Sequence, residues 1–446
     1  MVFLLVPVIA VLGITVGKII LGRWINHLSI YCVIWTVLIC LYELKLLPYV
    51  DVSLKTWFYI GAAFLSFLLG IVTITSARSR FQNPSVFSKK FSINSSIFAD
   101  GGKTVRYAVL IFSIISIYAG VQNWMILIKL FGSIPAVFLN ANKVYVLNSQ
   151  GGGVKGVVPF ISVFGYVAVF FAGIYTAYRG RFSFLSFLPF VGVIIKQLAI
   201  EGRAGMLFAL LEFLFTFILF RHLLKEEPSR QFKFSKTNAI ISFIILIAFF
   251  VASASLVRLA RGGSESYMGA NTGLNRYKKN IIITPTLYLY LSSDVGVLSK
   301  YFDSGGENTE FGQNTFLTVY HVLSKLGLLK RPSDYQRGYY IPMWTNTGTY
   351  IRELDADFGV SGAFLGPYLI GLLATWLWFK VFERKSLYAM IFLVYLYLII
   401  GFSFLVMITR VSTWSISQGL VLLCIPFLER ISVNKSERLK YKTANK

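Results

Sequence analysis

Cysteine is nearly missing from this 446-residue chain: Cys32, Cys40 and Cys424 all sit in apolar runs, without metal-ligand spacing. They predict neither a disulfide framework nor cysteine chemistry. Histidine is as rare, with His27, His222 and His321 far apart, and no motif forms a metal site. Charge is scarce too: 14% of residues are Asp, Glu, Lys or Arg, where a soluble domain carries about a quarter. That deficit excludes a soluble globular fold. There is no internal repeat, no heptad pattern and no inverted symmetry, which removes the usual signs of a solute transporter. Acids are the scarcer charge, 19 against 43 Lys and Arg, for a net charge of +24. The basic residues fall between apolar runs, so nucleic acid is not an expected partner.

What the chain does have is apolar length. It is 56% hydrophobic, with 40 Phe and 25 Tyr and a mean hydropathy of +0.67. Runs near twenty residues place helices at 1–21, 29–47, 56–76, 107–131, 156–177, 183–200, 204–221, 238–257, 362–381, 387–408 and 412–429. The expected class is an all-α polytopic membrane protein in contact with the lipid bilayer, of about eleven (10–12) spans. The first run lacks a basic n-region and a cleavage site, so a retained helix is expected there. Basic connections at 77–106, 178–182, 222–237 and 383–385, with the tail 430–446, fall on one side and predict a cytoplasmic face. The N-terminus is then outside and the C-terminus inside. Residues 1–257 form an N-terminal bundle, 258–361 a long external loop and 362–429 the last helices. That loop holds nine of the 19 acids and eleven Lys or Arg. Within it, 281–300 is too interrupted by Pro285 and Asp294 for a clear span and reads as re-entrant or interfacial.

Several constellations stand out, each with a plainer reading. Glu201-Gly202-Arg203-Ala204-Gly205 is a tight turn that would aim Arg203 at a helix start, a ready anion site. Arg203 could equally snorkel or pair with Glu201. Arg258, Arg261, Arg276, Lys278 and Lys279 on the outer face suit a lipid pyrophosphate, or simply anionic head groups. Asp294 follows Ser292 and Ser293 and precedes Lys300 in apolar surroundings. Such burial raises a carboxyl pKa and fits proton transfer, while the serines read as helix caps. The densest group runs from Tyr339 to Leu365. Tyr350, Arg352, Glu353, Asp355 and Asp357-Phe358-Gly359 precede a helix, where charge is costly and functional by default. Arg352 with Asp355, and Glu353 with Asp357, would share helix faces. An interfacial ion-pair network explains the same residues as well as phosphate binding and proton removal do.

Three features resemble the Wzy-type oligosaccharide repeat-unit polymerases of bacterial O-antigen and capsule synthesis. They are the Gly202-Arg203 turn between helices, the long late external loop, and the passage Asn346-Thr347-Gly348-Thr349-Tyr350, Arg352, Asp357-Phe358-Gly359 and Gly362 into a small-residue helix. The resemblance implies a GT-C-like, metal-independent glycosyltransferase of the bacterial inner membrane, without a cofactor. It would move a growing glycan from undecaprenyl pyrophosphate to a sugar hydroxyl of the next lipid-linked repeat unit. A chain-length regulator (co-polymerase) and a flippase are the implied partners. Asp357, or else Asp294, with Asp355 third, becomes the expected base, and Arg203 and Arg352 are expected on the pyrophosphate. Arg258, Arg261, Arg276, Lys300, Tyr339, Tyr340, Trp344 and Tyr350 become substrate contacts. A lipid-linked oligosaccharide flippase and an O-antigen ligase remain the alternatives, the ligase with His321 as its external histidine.

Overall fold

The computed structural model describes residues 2–80, 96–140, 143–144, 147, 160–200, 202–225, 244, 248, 251, 285–333, 336–341 and 344–444. These form α1 (Val2–Leu21), α2 (His27–Glu43), α3 (Leu54–Arg80), α4 (Lys103–Phe131), α5 (Ile134–Leu139), α6 (Phe164–Arg179), α7 (Phe184–Ala199) and α8 (Ala204–Lys225). There follow α9 (Pro285–Ser292), α10 (Asp294–Asp303), α11 (Leu317–Lys325), the two-residue strands β1 (Tyr339–Tyr340) and β2 (Trp344–Thr345), α12 (Tyr350–Arg384), α13 (Leu387–Phe402) and α14 (Ser412–Ala444). Among the described residues, seven helices are long and apolar enough to cross a membrane, and α2, α7 and α13 are shorter apolar helices. The chain is an all-α polytopic membrane protein, as expected where lipid leaves each backbone group to be satisfied inside its own helix. Ten of the eleven expected runs coincide with helices. The eighth, 238–257, lies almost wholly outside the described residues.

The chain divides into two compact units. The first takes Met1–Ser85, Ser264–Leu377 and Leu396–Ser412. In it α2 is tied to α12 and to the turn after α13 by polar contacts. His27 Nε2 lies 2.9 Å from Thr375 Oγ1, the Tyr31 and Tyr350 hydroxyls are 3.0 Å apart, and Trp35 donates to Ser403 Oγ at 3.0 Å. Helices α3 and α12 approach so closely that a Cβ on Gly70 would stand 2.2 Å from the Tyr368 carbonyl, and one on Gly371 2.2 Å from that of Phe67. Such backbone contact replaces the hydrophobic drive that helices in lipid lack.

The stretch 285–300 does not span. It breaks at Ser293 into α9 and α10, of 8 and 10 residues, each too short to cross. Both lie on α2 and the turn that follows it: Tyr49 meets Ser292 Oγ at 2.7 Å, and Ser53 N–H donates to Ser299 Oγ at 3.0 Å. The expected serine caps are absent, since Ser293 makes no capping bond and Ser292 Oγ donates back to the Tyr288 carbonyl at 2.6 Å. Helix α13 ends at Phe402 rather than 408, because the next carbonyls are turned outward as acceptors. Ser403 O takes the N–H of Tyr350 at 2.9 Å, and Leu405 O that of Gly348 at 3.3 Å.

Helix α12 is two helices joined at Gly359, where φ is 64° and ψ −159°, a conformation essentially reserved for glycine. Beyond the kink, a Cβ on Gly362 would sit 2.3 Å from Leu354 O, so the short arm folds against the start of the long one. Gly359→Ala meets no neighbour but is forced into the wrong backbone region. It is expected to cost about 1–3 kcal/mol, read as a lower apparent Tm in detergent. A Tm equal to that of the unsubstituted protein would show that the arms can be joined another way.

The second unit takes Val86–Gly263, Trp378–Tyr395 and Thr413–Lys446. Here α4, α6 and α7 converge on Ser116, against which Gly165 and Gly192 pack within Cβ–Oγ distances of 2.5 and 2.4 Å. Asp100 caps α4, accepting from Gly102 N–H, Thr104 N–H and the Thr104 hydroxyl at 2.7–3.1 Å.

Candidate functional site

In the first unit, the arm of α12 from Tyr350 to Phe358 starts at Thr349, whose carbonyl accepts the N–H of Arg352 at 3.0 Å. Glu353 in the first turn complements the helix dipole. This arm carries Arg352, Glu353, Asp355 and Asp357, and each is claimed by a residue distant in sequence.

Asp357 is saturated. Its Oδ1 accepts from the Thr309 hydroxyl (2.7 Å), Asn314 N–H (2.8 Å) and Asn314 Nδ2 (2.9 Å), and its Oδ2 from Thr315 N–H (2.7 Å). These bonds staple the 309–315 turn to α12. With both oxygens taken up by donors from the 309–315 turn, neither is left to face a substrate hydroxyl, so Asp357 secures the fold and does not fit the role expected of it. Asp355 accepts from the Tyr301 hydroxyl at 2.8 Å.

Neither expected helix-face pair forms. Arg352 is fully buried, and its Nη2 donates to Glu307 Oε1 at 2.9 Å and to the Arg337 carbonyl at 2.7 Å. Its guanidinium lies between the rings of Tyr339 and Tyr301, 5.1 and 5.5 Å from their centroids. Of its terminal nitrogens only Nη1 is buried without a partner among the described residues. A bidentate grip on phosphate is therefore not what this arginine offers, because half the fork is occupied. Glu353 pairs with Arg410 Nη1 at 3.4 Å and also accepts from Gln336 Nε2 and the Met407 N–H. Arg410, in the turn before α14, further donates to Asn314 Oδ1 and to the Ser333 carbonyl.

Asp294 is the contrasting carboxylate. It is 2% exposed, and neither oxygen makes a hydrogen bond of good geometry among the described residues, the Thr347 hydroxyl being the polar group that faces it. Burial pushes its carboxyl well above the usual carboxylate range, opposed by the Thr347 hydroxyl and then by the Arg352 charge. The hydroxyls of Thr347 and of neighbouring Ser293 are likewise buried and unpartnered among the described residues. Gly348 keeps this corner open to Arg352: a Cβ there would stand 2.9 Å from Arg352 Cδ and 3.1 Å from Nη1. The first unit thus brings together an unpaired carboxyl, two hydroxyls and one free guanidinium nitrogen, all shielded from water. This set can accept a proton from a hydroxyl and donate to an oxyanion.

The other expected contacts divide. Tyr339 is buried, bonded to Glu307 Oε1 (2.8 Å) and Ser304 Oγ (3.2 Å), and holds Arg352 in place instead of facing solvent. Tyr350 is 1% exposed and bonded to Tyr31, hence a packing residue and not a substrate contact. Tyr340 and Trp344 face each other across the β1–β2 pair, 74% and 56% exposed, with Trp344 laid over Gly338. Lys300 is half-buried in the last turn of α10. His321 Nδ1 lies 3.4 Å from Ser412 Oγ. Arg258, Arg261 and Arg276 lie outside the described residues.

Arg203 belongs to the second unit. It opens α8, its carbonyl accepting the N–H of Met206 and Leu207 at 3.1 and 3.2 Å. The glycines beside it are required by Gln197, whose side-chain amide would meet a Cβ on Gly202 at 2.4 Å and one on Gly205 at 2.2 Å.

Sequence reasoning did not single out Glu307, Tyr301 or Arg410, and it named Thr347 only within the passage that carries the resemblance. Arg410 carried a usable signal, a lone arginine between two apolar runs. Compared with models of protein families, with curated proteins and with solved structures, the chain matches none of them.

Proposed function

We propose that this protein is a glycosyltransferase that polymerises lipid-linked oligosaccharide repeat units. One observation carries the reading: a fully buried, unpartnered carboxyl at Asp294, beside a half-occupied Arg352. In this mechanism Asp294 takes the proton of an acceptor sugar hydroxyl. The hydroxyl oxygen attacks the anomeric carbon of the donor glycan and forms the new glycosidic bond. The bond from that carbon to pyrophosphate breaks, and undecaprenyl pyrophosphate leaves with the electron pair. Arg352 Nη1 stabilises the charge that develops on it. The exposed ring pair of Tyr340 and Trp344 offers apolar faces to the sugars. The reading includes a bacterial inner-membrane location, a GT-C-like bundle of about eleven spans with 258–361 outside, and a co-polymerase and flippase as working partners.

The test is purified protein in liposomes given an undecaprenyl-pyrophosphate-linked repeat unit. A ladder of glycans rising by one repeat, with release of undecaprenyl pyrophosphate, is expected. Movement of the lipid-linked unit across the bilayer without elongation would make the protein a flippase. Transfer only onto an acceptor that lacks pyrophosphate would make it a ligase. In the same assay Trp344→Ala with Tyr340→Ala should raise KM by about tenfold, the worth of one or two aromatic contacts. Because both rings are exposed, Tm should hold. An unchanged KM would remove the sugar-stacking role.

A further inference from the structure

The second unit contains a cleft of about 570 Å³ lined by Arg106, Arg179 and Arg181 together with apolar Leu110, Phe184 and Leu185. The cations come from different elements. Arg106 lies in the first turn of α4, Arg179 in the last turn of α6, and Arg181 in the link to α7. Gly180, at φ +67°, ends α6 and turns the chain at this point. Ser186 Oγ then accepts the Ser183 N–H at 3.0 Å and fixes the start of α7. No acidic residue lines the cleft, and none of the three arginines has an ion pair or hydrogen bond from its side chain among the described residues.

The helix dipole accounts for one of these cations and not another. Arg179 at a helix C-terminus is favourable, whereas Arg106 at a helix N-terminus is opposed by the dipole. Asp100 already caps that end of α4 but does not line the cleft, so the potentials of the three guanidinium groups add there and an anion would relieve them. The surroundings narrow the class of anion. Helices α4 and α6 belong to segments long and apolar enough to cross a membrane, and the cleft lies where both meet their polar ends. Phe184 and Leu110 present apolar surface beside the arginines, 73% and 37% exposed. The two basic connections 77–106 and 178–182, expected on one face of the membrane, supply the three cations of this single cleft.

We infer that this cleft binds the phosphate of an anionic phospholipid, its guanidinium groups holding the head group and its apolar residues the first acyl carbons. The site is independent of the polymerase reading and involves none of its residues.

The experiment uses the full-length protein, delipidated in detergent and titrated by native mass spectrometry. The probes are phosphatidylglycerol, phosphatidylcholine of the same chains, and inorganic phosphate as competitor. Phosphatidylglycerol should bind the unsubstituted protein roughly 100-fold more tightly than the Arg106→Gln, Arg179→Gln, Arg181→Gln variant, from the usual worth of three surface cations. Phosphatidylcholine should bind both alike, and millimolar inorganic phosphate should not displace the lipid. If the triple variant does not fold, Arg181→Gln, in the link between helices, should alone weaken phosphatidylglycerol about fivefold. Equal phosphatidylglycerol affinity in substituted and unsubstituted protein overturns the site. Displacement of the lipid by inorganic phosphate overturns the lipid and leaves a soluble phosphate as the ligand.

Discussion

Asp294→Asn is expected to abolish chain growth while the protein stays folded. Asparagine keeps the shape of the side chain and removes only the basic oxygen. If Asp294 is the base, the rate should fall by about 10²–10⁴, read as the initial rate of repeat addition in liposomes. Stability should move the other way with pH. Because burial raises the folded-state pKa of Asp294, the stability this group contributes is complete below the ordinary carboxylate range. It is lost as pH rises through the raised folded value. Asp294→Asn should erase that loss, so its Tm advantage over the unsubstituted protein should grow toward alkaline pH. Asp357→Asn provides the contrast: it disturbs four hydrogen bonds to the 309–315 turn and should lower Tm first, with activity following the folded fraction. Full activity in folded Asp294→Asn protein would remove Asp294 from the reaction.

Arg410→Ala should produce the largest loss of stability among these substitutions. Arg410 and Glu353 are 6% and 0% exposed, so deleting the arginine leaves a carboxylate buried with its cation gone. Breaking such a pair costs about 3–5 kcal/mol. Asn314 would also lose a charged donor to its side-chain oxygen. Adding Glu353→Gln to Arg410→Ala removes the stranded charge and should restore part of the loss, a coupling measurable as a double-mutant cycle on apparent Tm. A single variant that melts with the unsubstituted protein would show that the pair contributes little.

Both predictions rest on pairings that the sequence could not reveal. The helices were legible because apolar length is a local property, and ten runs could be placed from it. The choice between Asp294 and Asp357 was not. Asp357 lies beside glycine at a loop-to-helix passage, which reads as reactive, but its donors come from Thr309, Asn314 and Thr315, over forty residues earlier. Asp294 follows two serines, which reads as a cap, yet Ser292 bonds back to Tyr288 and Ser293 caps nothing. Arg352 was conspicuous as a cation at the mouth of a helix, but its burial was not legible. Its partner Glu307 was seen only as one acid among nine, because 45 residues separate the two. Gly359 stood out as part of the loop-to-helix passage, whereas in the fold it makes the kink of α12. Tyr339 and Tyr350 were grouped with Tyr340 by type alone, and only packing separates the buried pair from the exposed ring.

The Arg352–Glu307 bond also bears on turnover. Glu307 occupies Nη2, so a phosphate that meets Arg352 finds Nη1 alone and is held less firmly than by a two-pronged guanidinium. The proposed polymerisation would repeat the same step many times, and each round would have to eject the spent carrier before the next unit docks. On the proposed polymerase reading, Glu307 stays on Nη2 while the carrier is held by Nη1 alone, a grip loose enough to let the spent carrier go before the next round.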